Sequence, residues 1–477
     1  MSDRAGNPPS HAFEPYSPRR RTALVLTGTG TAGAYHAGAL RALHEAGVNI
    51  DLVAGRGIGV IGALFLAVDG AARLWEEKGF WRAGTVRSLY GWRPAPRVAG
   101  LAIATAVLLV AVPLAAVAIG LIVFPIDFVL KMIGIGGASG LVGAYVRAAQ
   151  AAFAPEALPT WLPRLILLVL AIAGAFLLAE GWSRDARLPR GPWWWRGIRA
   201  PLSSSQVISH TWHSVWDLLR GAAQLKQPTP EDLARRYVEV LSDNLGQPGF
   251  CELLIAVHDV DARRDLIFGL LGDTRRRDLV RRSTTAADER RRAEVIDLVG
   301  VGRDHLVDAV AGALSIPVVT EPRSIRFAAE AYWRGETHRL SDRPASLIRV
   351  IDELIDLGIQ QIVLVAAVPE PTGPHTLAPP RVDGRGRLGD YLESSEAAVL
   401  HDATTTTPGV RIYTVRPVHN PIGPFDFTGA FDDRSHRRHT LAELMAQGYE
   451  DAYQQFIDPV VGASGERIQS AVRTERT

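Results

Sequence analysis

The sequence predicts an α/β protein with a parallel central sheet that is interrupted by a two-helix membrane hairpin. Short apolar runs alternate with helical stretches, and glycine-rich turns follow the runs, as is typical of parallel sheets. A third observation indicates membrane helices, because residues 98–126 contain no charged residue and about 20 apolar residues are enough to span a bilayer.

Composition excludes several classes of protein. Of the 477 residues, 47% are hydrophobic and 21% charged, which excludes a disordered or collagen-like chain. Lys and Arg number 52 against 50 Asp and Glu, so we expect no nucleic acid partner. The single cysteine, Cys251, cannot form an intramolecular disulfide or belong to a cysteine cluster that binds metal. We therefore expect no cofactor and no metal.

Six segments follow from these patterns. The α/β domain is predicted in two halves, with the hairpin inserted between them and polar tails outside. The segments are a disordered tail (1–21), the first half (22–97), the transmembrane hairpin (98–182), a juxtamembrane and helical linker (183–249), the second half (250–458) and a polar tail (459–477).

The hairpin prediction rests on two apolar segments and on the charges around them. The second segment, residues 165–179, is shorter than the first but is bracketed by Trp161 and Trp182, as interfacial aromatics would be. The alternative for either segment is a buried helix of a soluble protein.

Arginines are dense before the first segment and after the second, and sparse between them. The positive-inside rule then places both soluble halves in the cytoplasm, on an inner-membrane protein that contacts membrane lipids. The flanking arginines are Arg82, Arg87, Arg93 and Arg97 before the pair, and Arg184, Arg187, Arg190, Arg196 and Arg199 after it.

The first half reads as strand, glycine loop, helix, strand, glycine turn and helix. We predict strands at 23–26 and 52–54, a helix at 34–46 and a second helix that begins near Gly59. Ligands and chemistry are expected where these strands end.

The second half continues the alternation with less regular spacing. The Arg-dense stretch 273–292 is predicted as a solvated helix or a mobile loop, with a membrane-facing basic surface as the alternative. We predict helices at 229–245, 304–314, 348–357 and 441–453, strands at 253–257, 266–271, 361–367 and 411–415, and a loop at 369–386.

The first glycine loop fits the dinucleotide-binding pattern. Gly28, Gly30 and Gly33 match G-x-G-x-x-G between a strand and a helix. A dinucleotide site also needs an acidic residue at the end of the second strand, whereas Asp51 precedes that strand. A nucleotide-binding membrane protein therefore remains an alternative.

Residues 26–40, Leu-Thr-Gly-Thr-Gly-Thr-Ala-Gly-Ala-Tyr-His-Ala-Gly-Ala-Leu, resemble the opening of the patatin-like phospholipases, whose strand leads into a G-G-G-x-[RK]-G loop. Residues 53–59, Val-Ala-Gly-Arg-Gly-Ile-Gly, stand where that family has its G-x-S-x-G nucleophile elbow. The resemblance is specific over residues 22–72 and looser over 250–452. It implies a patatin-like parallel-sheet sandwich interrupted by the hairpin. It also implies an oxyanion loop at Gly28, Thr29, Gly30 and Gly33, and an elbow at Gly55, Gly57 and Gly59.

The site departs from the family pattern at its reactive positions. Gly57 stands in place of the serine nucleophile and cannot form an acyl-enzyme. In the loop, Thr29 replaces the middle glycine and Ala32 replaces the basic residue. For the family's catalytic base, Asp342 fits the chain order; Asp383, followed by Gly384, fits the D-G motif but comes after the strand that should follow it. No catalytic residue is therefore assigned with certainty, and Asp342 is preferred to Asp383.

We expect a membrane-anchored patatin-like domain that is catalytically silent. It would bind lipid or acyl chains at its degenerate pocket, or hold a protein partner at the membrane. The competing expectation is a lipid acyl hydrolase with an atypical site that uses a water or a threonine such as Thr29 or Thr31. His36, on the first helix, is expected to be a core contact.

Overall fold

A computed structural model describes residues 16–134, 139–152, 162–182, 200–223, 225–280, 294–300, 302–371, 373, 381, 383–406, 409–432 and 436–462. The chain forms two compact units. The first combines Met1–Gly91 with Ser203–Thr477, and the second is Trp92–Leu202. The predicted tails, most of the arginines after the second apolar segment and residues 281–292 of the Arg-dense stretch lie wholly or largely outside the described residues.

The elements follow one another in the alternating order that the sequence predicts for an α/β fold. The strands are β1 (Thr22–Thr27), β2 (Leu52–Arg56), β3 (Gly91–Trp92), β4 (Leu202–Ser203), β5 (Glu252–Asp259), β6 (Arg264–Leu270), β7 (Val295–Asp297), β8 (Arg323–Arg326), β9 (Thr337–Ser341), β10 (Gln361–Ala366), β11 (Arg411–Val415), β12 (Ala430–Asp432) and β13 (Arg437–His439). The helices are α1 (Ala32–Glu45), α2 (Gly59–Ala67), α3 (Pro94–Met132), α4 (Ser139–Ala152), α5 (Leu162–Trp182), α6 (Ser205–Leu219), α7 (Pro230–Asn244), α8 (Asp273–Val280), α9 (Leu306–Ala313), α10 (Ser346–Asp356), α11 (Gly384–Thr406) and α12 (Leu441–Ala452).

A mostly parallel sheet organises the first unit. Its order is β11-β10-β1-β2-β5-β6-β7, with β9 paired to β5 and β8 paired to β9. The pairs from β11 to β5 are parallel, whereas β5 pairs antiparallel with β6 and with β9. Strands β1, β2 and β10 are buried along their whole length, as apolar strands covered by helices on both faces should be. The predicted α/β fold with a parallel sheet is confirmed.

The two chain segments of the first unit share this sheet. Strand β1, which precedes the second unit in sequence, pairs with β10, which follows it, from Thr22 opposite Gln361 to Thr27 opposite Ala366. On the other side, β2 pairs with β5. The sheet is therefore complete only when both segments are present.

Most predicted elements of the first unit occur within a few residues of their expected positions, but two corrections are needed. The predicted loop 369–386 gives way at Gly384 to α11, a 23-residue helix that the sequence reading did not contain. Its sequence is polar and opens with two glycines, so it lacks the apolar period that reveals a helix. The predicted helix 304–314 begins with a 3-10 turn, Arg303–His305, before α9.

The second unit is helical where it is described. Within α3, which runs for 39 residues, Leu114–Met132 has a mean hydropathy of 2.2 and is long and apolar enough to cross a membrane. This stretch overlaps the later part of the predicted first span. The second predicted span lies in α5, where the apolar stretch Pro163–Phe176 is shorter. Helix α3 packs against both α4 and α5.

Two glycines allow α1 and α12 to cross at close range in the first unit. A Cβ atom on Gly38 would lie 1.8 Å from the Met445 carbonyl oxygen, and one on Gly448 would lie 2.2 Å from the Tyr35 carbonyl oxygen. The Tyr35 hydroxyl donates to Asp451 at 2.8 Å across the same crossing. The glycines are therefore required by the close approach of the two helices.

We predict that Gly38→Ala lowers the free energy of unfolding by about 1–3 kcal/mol, the usual cost of overpacking. The matched control is Gly84→Ala, because a Cβ atom there meets nothing within 4 Å. Thermal unfolding of the purified chain measures both. Equal midpoints for the two variants would contradict the close crossing.

Candidate active site

The glycine loop lies at the carboxyl end of β1 and leads directly into α1. Gly28 and Gly30 have φ angles of +146° and +59°, which favour glycine. The backbone N–H of Thr31 donates to the carbonyl of Pro424 at 3.1 Å, and its hydroxyl donates to the carbonyl of Gly423 at 3.0 Å. The segment that contains these two carbonyls therefore lies directly on the loop.

The elbow forms where β2 turns into α2. A Cβ atom on Gly55 would lie 2.6 Å from the Val60 Cα, and one on Gly59 would lie 2.1 Å from the Leu26 carbonyl oxygen. The strand, turn and helix are thus packed too tightly for side chains at the two flanking glycines. This is the local geometry that the sequence pattern predicts for an elbow.

Gly57, at the tip of the elbow, is buried and faces the glycine loop. Its φ angle is +56°, in the left-handed region. A Cβ atom there would lie 2.3 Å from the Gly28 carbonyl oxygen and 3.0 Å from Asp342 Oδ2. The N–H of Ile58, the residue after the tip, donates to the same Gly28 carbonyl at 3.0 Å. In an elbow of this type, that N–H is one of the donors expected to stabilise an oxyanion.

A fully buried arginine stands beside the tip. The side chain of Arg56, at the end of β2, is 0% exposed. Its Nη1 donates to both carboxylate oxygens of Asp342, at 3.0 and 3.1 Å, and its Nη2 donates to Glu396. Its Nε donates to the Thr27 hydroxyl at 2.9 Å, and that hydroxyl donates to Glu396 at 2.5 Å. We call Arg56, Asp342, Glu396 and Thr27 the elbow ion cluster.

The strand pairing explains why the cluster assembles. Arg56 lies opposite Ala256 in the β2–β5 ladder, and His258, two residues farther along β5, lies opposite Ser341 of β9. Asp342 follows β9 directly and therefore reaches the same edge of the sheet as Arg56. Glu396 is supplied by α11.

The electrostatics of the cluster reflect burial and charge pairing. Burial raises the pKa of Asp342 to about 6, while Arg56 opposes this rise and Glu396 adds to it. Burial alone would lower the pKa of Arg56, but Asp342 and Glu396 outweigh that effect and raise it. Arg56 is therefore charged at neutral pH, and it holds the carboxylate that the family resemblance assigns as the base.

Asp342 and Asp383, the two candidates for the base position, occupy different places. Asp342 lies beside Gly57, within the elbow ion cluster. Asp383 stands directly before α11, where its backbone carbonyl accepts from the N–H of Arg387 at 3.0 Å. The structure thus brings the preferred candidate to the elbow, and its role as a base stays a prediction.

Sequence reasoning missed three members of the cluster, Arg56, Glu396 and Thr27; Thr27 lay within the opening motif but was not singled out. Arg56 was part of the elbow motif, directly before Gly57, and a buried arginine beside a degenerate nucleophile position was a usable signal. Glu396 carried no such signal because the helix that supplies it was not predicted.

His36, expected in the core, is 1% exposed. Its Nε2 lies 3.0 Å from the carbonyl oxygen of Thr27, and burial lowers its pKa to about 4. The neutral imidazole therefore donates to a carbonyl at the end of β1, as a structural contact of α1 with the sheet.

The cavity at the glycine loop is small. It has a volume of about 20 Å³ and is bordered by Thr29, Glu393 and Asn420, among others. That volume holds about one water molecule and no acyl chain. A cavity of about 710 Å³ is bordered by Asp51 and Glu252, at the amino ends of strands β2 and β5, so it lies away from the elbow.

A serine, a histidine and an aspartate do meet elsewhere in the first unit, in an arrangement that does not fit a catalytic triad. The Ser346 hydroxyl donates to Asp265 at 2.8 Å, and His258 Nδ1 lies 2.8 Å from the same carboxylate oxygen. In a triad the histidine stands between the serine and the acid. Here the acid stands in the middle, and the serine is 0% exposed.

Removing the positive charge of Arg56 from the elbow ion cluster should strongly destabilise the folded protein. Arg56→Met leaves Asp342 and Glu396 buried without their counter-charge, and we predict a loss of about 3–5 kcal/mol in the free energy of unfolding. In the matched variant Arg56→Met/Asp342→Asn/Glu396→Gln the uncompensated charge is absent, so part of the stability returns. Chemical denaturation measures the stability of both variants. An Arg56→Met variant as stable as the native chain would contradict the predicted role of the elbow ion cluster.

Comparison with known proteins finds a patatin-like domain in the first part of the chain. Residues 24–121 match the profile of the patatin-like phospholipases. A 60-residue segment is 48% identical to patatin-like phospholipase domain-containing protein 6 of mouse (Mus musculus), and equally to the proteins of that name from Pongo abelii and Homo sapiens. That match spans 12% of this chain and only 4% of each relative. The solved structure of VipD from Legionella pneumophila aligns with 93% of this chain and 68% of its own, at 12% identity and a TM-score of 0.30. On the match over residues 24–121, the chain contains a patatin-like phospholipase domain.

Proposed function

We propose that this protein is a catalytically silent patatin-like domain, anchored in the membrane by its second unit, that binds membrane lipids or a protein partner there. The observation that carries the proposal is the closure of the elbow. The Gly28 carbonyl oxygen lies where a side chain at position 57 would begin.

Acyl transfer needs a nucleophile, a base and donors for the oxyanion. The nucleophile position holds Gly57, which has no side chain. The carboxylate at the base position is paired with Arg56, and the N–H of Ile58 is engaged by the Gly28 carbonyl. The nucleophile is therefore absent, and the carboxylate and one oxyanion donor are engaged in other contacts. Loss of the nucleophile alone reduces a serine hydrolase to a small residual rate.

Of the two threonines that could replace the missing serine, Thr29 is half-buried and borders the small cavity at the glycine loop, whereas Thr31 is engaged in the fold. The Thr31 hydroxyl donates to a backbone carbonyl, and Thr27 donates to Glu396 while it accepts from Arg56. Thr27 is 0% exposed, so a substrate could reach it only after a rearrangement. These contacts favour a silent site over a lipid acyl hydrolase that uses Thr31 or Thr27.

The small cavity at the glycine loop bears on what the domain binds. A volume of about 20 Å³ does not accommodate an acyl chain. Of the two noncatalytic roles, contact with the membrane surface or with a partner is supported better than capture of an acyl chain at the elbow.

Membrane anchoring is supported by the surface of the second unit. Only 11% of the stretch Leu114–Met132 is buried within the protein, and side chains such as Leu108 (68%) and Leu121 (73%) are largely exposed. A continuous apolar surface of this extent is unfavourable in water and favourable in lipid. Because the two segments of the first unit share one sheet, they must lie on one side of the membrane. That requirement supports an even number of crossings. The flanking arginines support the cytoplasmic side for both segments.

We predict that Gly57→Ser restores neither ester hydrolysis nor labelling by a fluorophosphonate. The new side chain meets the Gly28 carbonyl, and Arg56 still holds Asp342. Labelling of the detergent-purified variant is compared with that of Gly84→Ser, where a Cβ atom meets nothing within 4 Å. Labelling of Gly57→Ser at the introduced hydroxyl would contradict the closed elbow and would show a site that lacks only its serine.

For the anchor, we predict that the full chain stays in the membrane pellet after an alkaline carbonate wash. Ile119→Arg/Ile122→Arg should release it, because each arginine costs about 2.5–3.5 kcal/mol at the centre of a membrane helix. The control is Leu225→Arg, at a residue of the first unit that is 63% exposed. Release of the native chain would overturn the anchor.

A further inference from the structure

Between α2 and β3 the chain forms a series of 3-10 turns that bury apolar side chains and expose basic ones. Residues 71–89 contain three 3-10 turns, Ala71–Leu74, Phe80–Arg82 and Gly84–Ser88. We call these residues the cationic turn segment. A Cβ atom on Gly33 of α1 would lie 2.0 Å from the Trp81 ring, so the segment is packed tightly against that helix. Its buried apolar anchors are Leu74, Phe80, Trp81, Val86 and Leu89, each 4% exposed or less.

The charges of this segment point outward. Lys78, Arg82 and Arg87 are exposed and, among the residues that the structure describes, make no ion pair. Arg73 pairs with Glu76 at 3.3 Å, with both side chains about half exposed. Glu77 is the other acidic residue in the segment. The turns therefore carry a net positive charge on side chains that are free to meet an external anion.

The sequence continues directly into the membrane unit. Trp92, 57% exposed, follows the turns, and Arg93 and Arg97 follow it before residues 98–126, which contain no charged residue. Tryptophan prefers the interface between membrane and water. Basic clusters next to a membrane helix are attracted to anionic lipids.

We propose that the cationic turn segment binds the headgroups of anionic phospholipids at the membrane surface. This inference rests on the proposed membrane location and adds the class of lipid that is recognised. An anionic bilayer fits better than an acidic protein because the segment ends only a few residues before an apolar helix. The buried aromatic anchors hold the turns in place, so lipid binding requires no local folding.

The test uses the full chain in a neutral detergent. Mixed micelles carry phosphatidylglycerol or phosphatidylcholine with the same fluorescent acyl chain, and energy transfer from tryptophan reports binding. We expect phosphatidylglycerol to bind about tenfold more tightly, with a preference that declines as salt shortens the screening length. Because a Lys or Arg near an anionic surface contributes about 1 kcal/mol, or fivefold in affinity, Arg82→Gln/Arg87→Gln should weaken phosphatidylglycerol binding at least tenfold.

The matched control is Arg303→Gln/Arg326→Gln, which removes two exposed arginines elsewhere in the first unit. This control should retain the lipid preference, and thermal unfolding should show both double variants folded. Equal binding of the two lipids, or equal losses in the two double variants, would overturn the proposal. Competition by inorganic phosphate beyond that of chloride at equal ionic strength would also overturn it, because it would indicate a site for a free anion.

Together, the carbonate wash and the lipid-binding measurement distinguish a failure of the anionic-lipid proposal from a failure of the membrane anchor. A chain that resists carbonate but shows no lipid preference keeps its anchor and loses the lipid specificity. A chain that carbonate releases but that still prefers phosphatidylglycerol loses the anchor and keeps a peripheral anionic-lipid surface.

Discussion

The buried charge of Arg56 is the constraint on which the candidate site depends. A guanidinium removed from water costs several kcal/mol unless oppositely charged partners and hydrogen bonds compensate for it. Arg56 obtains this compensation from Asp342, Glu396 and the Thr27 hydroxyl. These partners belong to distant parts of the chain: the end of β1, the residue after β9, and α11. The cluster therefore ties the central strands to two later elements at the edge of the sheet where chemistry would occur.

Glycine at position 57 permits a tighter elbow than a residue with a side chain would allow. Because Gly57 has no side chain, the Gly28 carbonyl approaches the tip and accepts the N–H of Ile58. The same contacts that stabilise the turn engage one oxyanion donor, the N–H of Ile58, and fill the space where a side chain at position 57 would begin. Active sites commonly carry strain that reduces stability, and a site without chemistry is released from that cost. If the site is silent as proposed, this release accounts for a patatin-like fold that keeps a closed elbow.

How well the sequence predicted this arrangement depends on how far apart the interacting residues lie along the chain. Strands β1, β2 and β10 were predicted because each is an uninterrupted apolar run, and the elbow because its glycines have a fixed spacing. Asp342 was favoured by chain order, which reflects the topology of the family. The pairing of Arg56 with Asp342 spans 286 residues and that with Glu396 spans 340, and no local pattern encodes such distances. Helix α11 was missed because its sequence lacks apolar periodicity, and Glu396 was missed with it.

The most direct test of the proposed silent, closed site is the ester turnover of the native chain in neutral detergent, measured with a short-chain ester and with a phospholipid. Arg56→Met/Asp342→Asn/Glu396→Gln serves as the matched background. We expect the native protein and this variant to give the same rate, equal to that of detergent alone. Turnover by the native protein that the variant loses would contradict the account, because it would show that the elbow ion cluster is part of a working catalyst.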